Sequence, residues 1–193
     1  MARPRAFDRD VALGAALDVF WRNGYEATST DDLRYAMGIG RQSLYDTFGD
    51  KRRVYLEALE RYQTRSVDAV VAQLRAGPSP LAAIRSVVSA YASASAEERA
   101  LGCLGVSAIC EFGSADKAVA ALGAAAAARL QDAFETALRE AVRAGEVRPS
   151  LDPHAGALFL QSLLLGLKIS AKAGTSPQNL RDVANVAFEG LTS

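Results

Sequence analysis

Residues 28–48 read TSTDDLRYAMGIGRQSLYDTF. Ser29 and Thr30, with Asp31 and Asp32 behind them, place a hydroxyl cap and an acidic group at the head of a short helix. Gly38 ends that helix, since glycine takes the left-handed conformation that a sharp reversal needs. A second short helix is expected over 40–48, where Leu44 and Phe48 fall four apart on one side. Two short helices about a glycine-bearing turn make a helix-turn-helix, whose second helix projects and can enter a DNA groove. Leu33 and Ala36 are expected to seat the first helix against the helix that precedes the motif.

That preceding helix spans 8–23, with Leu13, Ala16, Leu17 and Phe20 at helical spacing and Gly24 as its stop. Phe20 and Trp21 read as core residues. Beyond the motif, Asp50 caps a long helix running through Val54, Leu59 and Val67 towards Ala76. Gly77-Pro78-Ser79-Pro80 interrupts it, and helical patterns resume over 80–95, 101–112, 116–144, 153–172 and 177–191. No alternating run of β-branched or aromatic residues makes a strand. The expected fold is all-α with about nine helices, a helix-turn-helix domain over 1–52 and a helical regulatory and dimerisation domain over 53–193.

The 193 residues carry 22 Lys plus Arg against 22 Asp plus Glu, so no whole-molecule positive field draws the chain to a polyanion. DNA contact must be local. Two cysteines, Cys103 and Cys110, are too few for a secreted disulfide scaffold and suit a reducing cytoplasm. The N-terminus has no apolar core of signal-peptide length. The most apolar window, 155–173, is interrupted by Gln161, Ser162 and Lys168, so it reads as a buried helix and no membrane partner is expected.

Residues 25–59, YEATSTDDLRYAMGIGRQSLYDTFGDKRRVYLEAL, resemble the N-terminal signature of the TetR family of repressors. Tyr25, Thr28, Asp32, Leu33, Gly38, Leu44, Tyr45, Phe48 and Lys51 stand where that pattern has a like residue. Asp46-Thr47 and Gln42 depart from it, where family members often carry a histidine and a glycine, and these departures bear on base preference.

Arg41 and Gln42 open the second helix of the motif and have donors for guanine or adenine edges, with Ser43 able to reach a base or a phosphate. Tyr45, by its phenol and by the resemblance, is expected on a phosphate. Lys51 at the head of the next helix, and Thr28 and Ser29 before the first, are further phosphate candidates. Arg3 and Arg5 lie in an arm suited to an adjacent groove.

One recognition helix reads few base pairs, so two copies on a palindromic operator in double-stranded DNA are expected. The helices over 153–172 and 177–191 are apolar enough to pair, as the resemblance also implies, through Leu160, Leu164, Leu180, Val183, Ala187 and Phe188. Release requires an effector that favours a DNA-incompetent state. Tyr91, Glu111 and Gln161 with Phe112, Phe134 and Phe159 are expected to line its pocket, the effector itself being an unidentified small molecule. Cys103 opens a predicted helix, where a thiol is more reactive, and Gly102-Cys103-Leu104 is similar to a segment of a TetR subgroup that includes regulators responding to oxidants or electrophiles. Thiol modification is the alternative trigger.

His154 is the lone histidine, so no metal site is expected. Neither a phosphate-cradling glycine loop, nor a nucleophile elbow, nor HExxH occurs. No cofactor and no enzymatic activity are expected. The competing readings are a helical enzyme that keeps the motif as a packing unit, and an architectural DNA binder without a sensor.

Overall fold

The computed structural model describes residues 7–192, and Arg3 and Arg5 lie outside them. Ten helices and no strand occur among the described residues. They are α1 Arg9–Asn23, α2 Thr30–Met37, α3 Arg41–Phe48, α4 Lys51–Ala76, α5 Pro80–Ser93, α6 Ala96–Leu101, α7 Leu104–Phe112, α8 Lys117–Arg143, α9 Pro153–Lys172 and α10 Pro177–Thr192. The expectation of about nine differs by α6. Ser95 caps it through a reciprocal pair with Glu98, and Gly102, at φ +69°, breaks it from α7.

The chain forms two compact units, one comprising residues up to Thr64 with Leu104–Gly123, the other Arg65–Cys103 with Ala124–Ser193. These units are cut elsewhere than at 52/53. The first gathers α1 to α3, the start of α4, α7 and the start of α8. Phe20, Leu33, Leu44, Tyr55, Leu59 and Leu104 are fully buried there, each such side chain contributing roughly 1.5–3 kcal/mol. An aromatic cluster lies at its centre. The ring of Tyr55 is 5.0 Å from that of Phe20, 4.9 Å from that of Tyr25 and 5.4 Å from that of Phe112. Burial pushes the Tyr55 hydroxyl well above its ordinary pKa.

Two polar clasps hold α7 and α8 within this unit. The Glu111 carboxylate accepts from the backbone N–H of Tyr25 at 3.0 and 3.1 Å. Arg52 grips Asp116 with two donors, the Nη2–Oδ1 contact being 2.9 Å, while Asp116 Oδ1 also accepts from the amides of Ala118 and Val119 at the head of α8. The Arg52 guanidinium and those amides hold the Asp116 carboxyl down at about 2.

The second unit packs α5 against α9 and α10, with Phe134 and Leu138 of α8 completing the core. Asp152 caps α9 through the His154 amide, and Pro153 occupies its first position. By length and composition α9 is the one helix among the described residues able to cross a membrane. Here its Ala157, Leu160, Leu164, Leu167 and Ala171 sit in the unit's core.

The residues expected to pair two chains are corrected by this packing. Leu160, Leu164, Leu180, Ala187 and Phe188 are buried in the chain's own core, because the helical period turns them inward, and only Val183 of the six is exposed. The exposed large apolar side chains of α9 and α10 are Leu158, Phe159, Leu165, Ile169, Val183 and Val186.

Candidate nucleic-acid interface

The motif is closed from both ends of α2. Ser29 Oγ accepts from the Asp32 amide at 3.1 Å, and Asp32 Oδ2 accepts from the Ser29 amide at 2.8 Å. These bonds from Ser29 hold the Asp32 carboxyl below its ordinary pKa. At the other end Gly38 lies at φ +64°, ψ +30°, and its amide bonds back to the carbonyls of Arg34 and Tyr35. Leu33 and Met37 are the buried residues of α2. Ala36 is exposed instead of seated on α1, since Met37, one position later, faces the core.

In α3, Leu44 and Phe48 are buried and fix the helix to the unit, which turns Arg41, Gln42, Tyr45 and Asp46 outward. Ser43 is half-buried. The Arg41 guanidinium stands 5.9 Å from the centroid of the Tyr45 ring, one helical turn on. Gln42 Nε2 donates to Asp46 Oδ1 at 2.8 Å. Gly40 precedes α3 without a side-chain cap. The outward face thus offers a guanidinium, a phenol and an amide–carboxylate pair, the groups that address base edges and phosphates.

Around the motif, Lys51 starts α4 half-buried, with Nζ 4.1 Å from the centroid of the Tyr25 ring. Asp50 Oδ1 accepts from the Arg53 amide at 2.8 Å and caps that helix. Ser29 is exposed, its hydroxyl engaged with Asp32. Thr28 is corrected: it is 1% exposed, and its hydroxyl donates to the Gly24 carbonyl at 2.6 Å. It closes the turn after α1 and offers no phosphate contact.

Two residues of this region escaped the sequence reading. Asp46 shares its outward face with Gln42, and a carboxylate is the group that can accept from a cytosine amino group in the major groove. The four-residue spacing of Gln42 and Asp46 was the available signal. Tyr35, 93% exposed on α2, presents a phenol to solvent that helical periodicity alone did not single out.

The residues expected to line an effector pocket fall in both compact units. Glu111 and Phe112 belong to the first unit, where they hold the turn after α1 and the aromatic cluster. Within the second unit Phe134 is fully buried in the core, Phe159 is 46% exposed, and Gln161 Nε2 donates to the Ala127 carbonyl at 3.0 Å. Tyr91 and Cys103 do come together, at Lys168. Among the described residues no group of three or more His, Cys, Asp or Glu could hold a metal ion.

Residues 12–58 match the family described as bacterial regulatory proteins, tetR family, and residues 80–187 match the tetracyclin repressor-like C-terminal domain. The HTH-type transcriptional regulator YezE of Bacillus subtilis (strain 168) is 34% identical, covering 99% of this chain and 100% of its own. The HTH-type transcriptional repressor ComR of Escherichia coli (strain K12) is 30% identical over 96% of this chain and 90% of its own. Among solved structures, a cysteine mutant of the TetR family transcriptional regulator CifR, complexed with 26bp double-strand operator DNA, superposes with a TM-score of 0.84. It is 31% identical and covers 98% of this chain and 100% of that one. With both halves matched and relatives aligned along nearly its whole length, the chain belongs to the TetR family of transcriptional regulators.

Proposed function

We propose that the protein is a repressor that holds a palindromic operator as a homodimer and lets go when its C-terminal helices receive a signal. The outward face of α3 carries this reading: Arg41, Gln42 and Tyr45 point away from a core that Leu44 and Phe48 lock. Ser29, Ser43 and Lys51 are assigned to the same DNA contact, as are Arg3 and Arg5, which precede the described residues. DNA contact is assigned to 1–52, regulation and pairing to 53–193. The relative ComR is named a repressor, and CifR is described on operator DNA.

Pairing uses the exposed apolar side chains of α9 and α10. A cleft of about 390 Å³ lined by Leu151, Phe159, Val186 and Leu191 lies beside them, shaped to take apolar side chains of a second copy. The location is cytoplasmic, and no catalytic activity is assigned. The signal is a small molecule or modification of Cys103, and cysteines are the residues replaced in the CifR mutants.

An electrophoretic shift with DNA from upstream of the protein's own gene tests the reading. Sequence-preferring binding to a palindrome, weakened steeply by salt, is the expected result. Binding without preference for any palindrome overturns it.

A further inference from the structure

The outward crest of α3 carries negative charge. Each residue of a helix advances about 100°, so Asp46 stands opposite the seam made by Leu44 and Phe48. Gln42 falls about 40° to one side of Asp46 and Ser43 about 60° to the other, while Arg41 and Tyr45 occupy a flank. The exposures agree, with Gln42 and Asp46 open to solvent and Ser43 and Thr47 half-buried. Gln42 Nε2 donates to Asp46 Oδ1 at 2.8 Å. Among the described residues the Asp46 carboxylate joins no salt bridge, and Oδ2 accepts no hydrogen bond.

A carboxylate on the crest of a helix that enters the major groove meets a polyanion at close range. The chain has no net positive charge to offset that cost, with 22 Lys plus Arg against 22 Asp plus Glu. A hydrogen bond accepted from a base edge does offset it. Two groups on the major-groove edges can donate one, the N4 amino group of cytosine and the N6 amino group of adenine. Adenine sets its N7 lone pair beside the donor and against the carboxylate, whereas cytosine sets a C5–H bond there. Thymine O4 and guanine O6 and N7 are acceptors and repel it.

We propose that the Gln42–Asp46 pair reads a cytosine in each half-site, Asp46 Oδ2 accepting from its N4 amino group while Gln42 holds the carboxylate in place through Oδ1. The inference rests on the operator binding proposed above and names the base chemistry that the operator presents. Asp46 determines the specificity, and Gln42 is its positioning residue. The pair also works by exclusion, since a thymine in that place turns a carbonyl oxygen towards the carboxylate. A methyl group on cytosine N4 separates this contact from base pairing. In a pair with guanine the remaining N–H faces the guanine and the methyl group faces the major groove, so the donor is lost while the pair stays. A methyl group on C5 leaves the donor in place.

The full-length protein first selects its site from a randomised DNA library. Each cytosine of one selected half-site is then replaced in turn by N4-methylcytosine, by 5-methylcytosine or, as a T·A pair, by thymine, and affinity is measured by fluorescence anisotropy at fixed salt. At one cytosine, thymine and N4-methylcytosine should each weaken binding about tenfold, the scale of one mismatched base pair, and 5-methylcytosine far less. Asp46→Ala should bind the plain and N4-methylated operators alike. Asp46→Asn, which keeps the size of the side chain and adds a donor, should shift preference at that position towards adenine. Gln42→Ala should reduce the N4-methyl penalty in part. A wild type that no N4-methylated cytosine weakens, or a penalty that is the same in Asp46→Ala, overturns the cytosine contact. If the wild type selects no palindrome, the proposed function itself fails and the contact falls with it; once a palindrome is selected, only the base assignment is at stake.

Discussion

Glu111 takes the Tyr25 amide on both carboxylate oxygens, at 3.0 and 3.1 Å, across 86 positions of sequence. Gly24 leaves room for it, since a Cβ there would fall 2.6 Å from Glu111 Oε1. The clasp is exposed to solvent, so Glu111→Ala should cost about 1–2 kcal/mol, the lower range for a charge-assisted bond. A lower denaturant midpoint with an unchanged slope is the expected result; an unmoved midpoint means the clasp is ornamental.

Arg41 stands outward on α3 with its guanidinium over Tyr45. Arg41→Ala should relax operator preference at one position of each half-site by about 1–3 kcal/mol. Binding to a panel of single-base operator variants measures this, and an unchanged ranking would sink the base-reading role.

Asp46 ties up the Gln42 amide at 2.8 Å. Asp46→Ala frees that amide and removes a carboxylate from the face proposed to meet DNA. The expected outcome is tighter binding to unrelated DNA together with a changed base preference, read from the same panel. Loss of all binding would instead point to a folding role for the pair.

Gly38 occupies the left-handed region with nothing within 4 Å of the place a Cβ would take. Gly38→Ala therefore isolates the backbone cost, about 1–2 kcal/mol, and Gly38→Asn should cost less. Thermal melts of the three proteins check this order.

Asp116 has a folded pKa of about 2 against an ordinary 3.8, chiefly through Arg52. A depressed carboxyl stabilises the fold above its unfolded pKa, and that contribution disappears as pH falls through the folded one. Asp116→Asn should thus lower stability by a constant amount above pH 4, the gap closing between pH 4 and 2. Denaturant titrations across that range follow it; a gap that persists at pH 2 would exclude the linkage.

The short-range features of the fold could be read directly from the residues that make them. Ser29, Asp32 and Gly38 punctuate α2 in the sequence as they do in space, and Leu44 and Phe48 declare the inner face of α3. The signal for α6 was also present, as Ser95 followed by Glu98, but a single glycine at 102 did not suffice to mark a break inside an apolar run. What periodicity does not carry is the identity of the partner. Glu111 and Phe112 look like pocket residues on a helix until Tyr25 and Tyr55 are found beside them. Leu160 and Phe188 belong to apolar stripes broad enough for two faces, and only packing shows which face the chain covers itself. In the sequence Lys168 only interrupts an apolar window, because its relation to Cys103 spans 65 positions.

The unit that carries the helix-turn-helix is discontinuous, drawing Leu104–Gly123 into the same core as Phe20 and Tyr55. It is consequently not a detachable cassette. A chimera that grafts only the first sixty or so residues onto a foreign body would leave the ring of Tyr55 without Phe112 and the amide of Tyr25 without Glu111. Rewiring this regulator to a new signal means transplanting two stretches of chain together, so specificity for DNA and the start of α8 are inherited as one parcel.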